Sequence, residues 1–103
     1  MMPDFTKRIR WCIKNGDMTV ADLHHWFGRP RSTVRTWVLD AHTPQGPAGN
    51  KAHLLLTLLE RRIEKKKGFP IPVDISAHAR PDYVRKLRHA ATGARVPAAH
   101  SAG

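Results

Sequence analysis

An all-α fold is expected, a compact domain of four to five helices with a C-terminal extension, on three observations. Apolar residues recur at helical spacing through most of the chain, turn-forming clusters such as Asn15-Gly16 and TPQGP punctuate it, and no pair of alternating strands is found. With polar ends discounted, 103 residues bury one modest core, so one domain is expected.

Phe5, Ile9, Cys12 and Ile13 fall at i, i+4, i+7 and i+8 and give a first helix one buried face; Asp4 can cap it and Asn15-Gly16 can stop it. Met18, Thr19, Asp22 and Leu23 together make a helix start. Thr19 is the N-cap, Asp22 its third-residue acid, and Met18 reaches Leu23 as a hydrophobic staple. The second helix therefore begins near Val20, and Gly28 supplies a tight turn after it. The third runs from about Pro30 to Leu39, with proline in the first turn, where its missing N–H would lack a partner anyway.

The stretch AHTPQGPAGN reads as a loop. Gly46-Pro47 or Asn50 then starts the longest helix, whose broad apolar stripe is Ala52, Leu55, Leu56, Leu59 and Ile63. Arg61, Arg62, Lys65, Lys66 and Lys67 suit the negative end of its dipole, and Gly68 can end it. Two prolines make FPIPVDI an extended strap rather than a sheet strand. A short fifth helix is expected from Arg80 or Pro81 to Ala90, packing through Tyr83, Val84, Leu87 and Ala91, and the small, polar end from 93 to 103 reads as a disordered tail. The organisation is thus a main unit over 1–67, a strap with a short basic helix over 68–92, and the tail.

Eighteen Lys and Arg against eight Asp and Glu give a net charge of +10, which favours a polyanionic partner, nucleic acid first and a membrane surface second. No apolar run approaches the roughly 20 residues that span a bilayer, and MMPDFTKRIR lacks the apolar stretch of a signal peptide, so a cytoplasmic protein that does not enter a membrane is expected. The single cysteine, Cys12, sits at a core position and reads as a buried free thiol. His24 and His25 are adjacent and point apart on a helix, and no metal-ligand spacing is present. The acids at 4, 17, 22 and 40 are explained by caps and turns, so neither a metal, a cofactor nor an enzyme activity is expected.

The segment TVADLHHWFGRPRSTVRTWVL resembles the helix-turn-helix of DNA-binding proteins. Leu23 and Phe27 match the inner face of the family's first helix, Gly28 its turn, and Val34 and Trp37 the inner face of its second. Two positions depart: His24 stands where the family prefers a very small residue, and Arg29 where it prefers an aliphatic one. A preceding helix, the TPQGP loop and a leucine-heavy helix extend the resemblance to the all-helical domain of phage repressors over residues 4–66.

That resemblance implies sequence-specific binding of double-stranded DNA by a small phage-type or bacterial transcription regulator. With the third helix in the major groove, Arg31, Ser32, Arg35 and Thr36 face the bases and Arg29, at the entrance, is counted with them as base-reading. The arginines can equally grip phosphate. Phosphate contacts are expected from Thr19 at the start of the second helix, from Asn50 and Lys51, and more weakly from Lys7 and Arg8. Residues 51–103 carry a net +7 against +3 for 1–50, so the later helices either touch DNA or form a solvated basic face. Trp11, Trp26, Leu54 and Leu58 lie off their helices' stripes, where they would serve a homodimer interface or be covered by FPIPVDI. A DNA-recognition subunit of a larger assembly, such as a phage terminase small subunit or a recombination accessory factor, is the alternative from another class. Binding to RNA by charge alone is weaker, since an aromatic platform for stacked bases is lacking.

Overall fold

The computed structural model describes residues 5–39 and 43–93, and among these it holds five α-helices and no strand. They are α1 (Phe5–Gly16), α2 (Val20–Phe27), α3 (Arg31–Leu39), α4 (Gly46–Glu64) and α5 (Arg80–Gly93). The Asp4 cap and the tail beyond Gly93 lie outside the described residues. Helix α1 packs on α3 and α4, and α2 is surrounded by α3, α4 and α5.

Helix α1 stops at Gly16, but the left-handed residue is its successor Asp17, at φ 55°. The Met18 N–H donates back to the Ile13 carbonyl at 3.1 Å and closes the end. Gly16 is needed for another reason: a Cβ there would lie 2.9 Å from Ile63 Cδ1, so the glycine lets α1 and α4 approach. The start of α2 is as expected, with Thr19 Oγ1 accepting from the Asp22 N–H (3.2 Å) and Asp22 Oδ2 accepting from the Thr19 N–H (2.9 Å).

Helix α4 begins at Gly46 and ends at Glu64, before the expected Gly68. Lys66 takes the left-handed conformation at φ 56°, while the Lys67 and Lys66 N–H groups donate to the Arg62 and Ile63 carbonyls at 2.8 and 3.1 Å. The five stripe residues of α4 are all buried. Around them Phe5, Ile9, Cys12, Leu23, Trp26, Phe27, Val34 and Trp37 complete the apolar core contributed by the first three helices. The rings of Phe5 and Phe27 meet Trp37 edge-on at centroid distances of 5.3 and 5.4 Å, and Thr6 donates to the Trp37 carbonyl. Burial pushes the Cys12 thiol up to about 12, in keeping with a structural role.

Of the two covers open to Trp26, a second copy or the strap, the fold shows the second: Trp26 is fully buried, donates from Nε1 to the Leu55 carbonyl at 2.9 Å, and meets Phe69 of the strap edge-on at 6.0 Å. The strap and α5 share the core of the rest. Phe69, Ile71 and Val84 are buried in the same cluster, the Ile71 N–H donates to the Gly16 carbonyl at 3.0 Å, and Tyr83 Oη donates to the Gly68 carbonyl at 2.6 Å. Arg80, at the head of α5, reaches Asp22 with Nη2 (2.6 Å) and Nε (3.2 Å) and the Asp17 carbonyl at 2.9 Å. The last helix is thereby fastened to the first turn of α2.

Candidate nucleic-acid interface

The turn between α2 and α3 is set by Gly28, at φ 66° and ψ 32°, whose N–H donates to the His24 carbonyl at 2.9 Å. His24 is accommodated half-buried, its ring Nδ1 donating to the Arg29 carbonyl across the turn. The Pro30 carbonyl takes the first bond of α3, from the Val34 N–H at 3.1 Å. Val34 and Trp37 then anchor α3 inward at 0% and 2% exposure, which fixes the face it presents outward.

That outward face holds Arg31, Ser32 and Arg35, all exposed, and the half-buried Thr36, whose hydroxyl donates to the Ser32 carbonyl at 3.0 Å. The four line one shallow concavity of about 450 Å³, with Leu39 at its end. Among the described residues no carboxylate lines it. Arg29 is half-buried on the flank, where it shares a second concavity of about 360 Å³ with Thr33, Thr36 and the start of α4, at its N-cap Gln45 and at Gly49. Asn50 and Lys51 are exposed on that same end of α4.

Thr19 stands differently from the sequence expectation. The anion at the start of α2 is the chain's own Asp22 carboxylate, 3% exposed and paired with Arg80. Burial pushes that carboxyl up, but hydrogen bonds from Arg80 and the Thr19 N–H, with the Arg80 charge, outweigh it and leave it below the usual range. Lys7 and Arg8 lie in a cavity of about 480 Å³ between α1 and α4 that no α3 residue lines. Arg8 is committed within the protein, donating to Glu60 at 2.6 and 3.0 Å and to Thr57 at 3.2 Å. The Glu60 hydrogen bond raises its pKa above the ordinary arginine value.

Sequence reasoning left open which residues of α5 approach the α2–α3 pair, and the fold answers with Arg85 and Arg88. Arg85 donates to His25 Nδ1 at 3.3 Å and is held by Asp82 at 2.9 Å. Burial lowers the His25 pKa, and the charges of His24, Arg85 and Arg31 lower it further, so its imidazole is neutral near pH 7 and accepts. The guanidinium of Arg88 lies against Gly28. No signal within α5 identifies these two, because their position depends on the Arg80–Asp22 attachment 58 residues apart in sequence.

Among the described residues, no group of three or more His, Cys, Asp or Glu is placed to hold a metal ion, and no helix is long and apolar enough to cross a membrane. No protein-family model, curated protein or solved structure matches the chain.

Proposed function

We propose that this protein binds double-stranded DNA sequence-specifically, laying α3 in the major groove as the second helix of a helix-turn-helix, in the manner of a small phage-type or bacterial transcription regulator. One observation carries the reading: Val34 and Trp37 lock α3 so that Arg31, Ser32, Arg35 and Thr36 share a single face that, among the described residues, holds no carboxylate. Arg31 and Arg35 are the base readers, each able to make a bidentate contact to guanine, and Ser32 and Thr36 contact either a base or a phosphate. Arg29, Asn50 and Lys51 grip the backbone beside them, and the net charge of +10 supplies the non-specific attraction.

A homodimer belongs to the same reading. Trp11 and Leu54 remain 39% and 50% exposed and are the candidates for its interface, with the half-buried Leu58; Trp26 is withdrawn from that role by its burial. The test is selection of bound duplexes from a random pool, followed by affinities of wild type and Arg35→Ala for the winner and for scrambled duplex. A palindromic winner, bound roughly a thousandfold tighter than scrambled DNA, is expected. Arg35→Ala is expected to lose about 1–3 kcal/mol on the winner and far less on scrambled DNA. Unchanged affinity of Arg35→Ala for the winner would remove α3 from the interface.

A further inference from the structure

Arg8, Arg80 and Arg85 each find a carboxylate within the fold, at 2.6, 2.6 and 2.9 Å. Arg88 does not. Its guanidinium is packed over the turn between α2 and α3, where a Cβ built on Gly28 would stand 3.6 Å from Nη2 and 3.8 Å from Cζ. Its Nε is buried without a hydrogen-bond partner. A buried donor in that condition calls for a physical explanation, since most are satisfied.

The surroundings supply one. Arg88, Arg29 and Lys51 line a cavity of about 120 Å³, otherwise walled by Phe27, Gly28, Ala52 and Leu55. Among the described residues no carboxylate lines it and none of the three cations is ion-paired. Three positive charges about one partly desolvated recess repel one another until an anion enters between them. The recess is small beside the roughly 300–1,000 Å³ of pockets that hold drug-sized ligands, which suits a single small anion such as one phosphate group. A guanidinium fork matches the paired oxygens of phosphate, and Lys51 adds a point charge.

We propose that Arg29, Lys51 and Arg88 bind one phosphate of the DNA backbone, beside the groove that α3 occupies, so that α5 takes part in DNA binding. The assignment to DNA rests on the function proposed above; the phosphate site rests on the geometry alone. Arg29 lies two residues before Arg31, the first residue of α3, which puts the held phosphate next to the base-reading face. Arg88 follows Arg80 by eight residues, about 12 Å along the helix, so the Asp22 anchor sets its reach.

The experiment compares wild type, Arg88→Gln and Lys51→Gln. Duplex affinity is measured across a salt series, and the Arg88 Nε–H resonance of each protein is followed by NMR as inorganic phosphate or chloride is added. Both variants are expected to bind the selected and scrambled duplexes about tenfold more weakly, by the same factor, with the slope of log K against log salt shallower by about 1. Lys51 is exposed, so its variant decides the matter should Arg88→Gln not fold. Wild-type duplex binding with salt slopes unchanged in the variants would overturn the site while leaving α3 as the reader. A phosphate-specific shift of Arg88 without any duplex binding would keep the phosphate site, assign it to free phosphate, and remove DNA. A resonance indifferent to phosphate in a protein that does not bind duplex would overturn both.

Discussion

Removing Asp22 tests how α5 is held. Its carboxylate does two things at once, accepting the Thr19 N–H at the head of α2 and receiving two hydrogen bonds from Arg80. An acid in the first turn of a helix contributes about 0.3–1 kcal/mol, and hydrogen bonds between charged groups about 1.5–3 kcal/mol. Asp22→Ala is therefore expected to cost about 2–4 kcal/mol, a large share of the roughly 5–15 kcal/mol available to a domain of this size. Arg80→Ala leaves a carboxylate only 3% exposed with its backbone partner alone. That loss falls below the ~3–5 kcal/mol of a fully buried broken pair, because Arg80 is itself 21% exposed and water replaces part of it. The double variant removes donor and acceptor together, so the two losses should not add; a coupling of about 1.5–3 kcal/mol is expected. Urea unfolding of the four proteins, followed by circular dichroism and compared at equal m-values, reads it directly. Thr19→Ala serves as the control for the cap alone, at about 1 kcal/mol. Single losses that sum to the double within about 0.5 kcal/mol would refute the account of α5 as fastened through this pair.

Trp26→Phe is expected to cost about 1 kcal/mol through the lost bond to the Leu55 carbonyl, and Trp26→Ala about 3–5 kcal/mol; a surface tryptophan would give less than about 0.5 kcal/mol in the same unfolding assay. With its pKa pushed up to about 12, Cys12 should resist a disulfide reagent at pH 8 in the native protein and react at once in urea. Because the folded-state pKa of Asp22 lies below the ordinary carboxylate value, its contribution is complete above about pH 4 and disappears as pH falls through the folded-state value. The urea midpoint of the wild type should drop over that acid range more steeply than that of Asp22→Ala, and parallel curves would show that the pair does not govern acid stability.

The helices whose stability is written along one face were legible in the sequence. The α4 stripe, the capping box at Thr19 and Asp22, and the turn at Gly28 all depend on neighbours within a few residues. For Trp26 the sequence left two covers open, a second copy or the strap, because periodicity ranks faces within one helix and cannot tell how many faces are covered or by what. An eight-residue helix enclosed by α3, α4 and α5 buries more than the Leu23–Phe27 edge. The stop of α1 shows the same limit: a glycine before a turn invites a backbone reading, whereas Gly16 makes room for Ile63 of α4. In the site, the face of α3 follows from Val34 and Trp37 by helical geometry. The placement of Arg88 at Gly28, and the engagement of Arg8 with Glu60, come from pairings 60 and 52 residues apart that no local signal encodes.

The attachment of α5 to α2 also sets an order of events during synthesis. Asp22 leaves the translating ribosome 58 residues ahead of Arg80, a delay of about 3–12 s at 5–20 residues per second. Through that interval the nascent chain carries an uncompensated carboxylate at the head of α2, and for much of it Trp26 lacks Phe69 beside it. Until Arg80 follows, the contact that fastens α5 to α2 cannot form, so this attachment is among the last long-range contacts open to the growing chain.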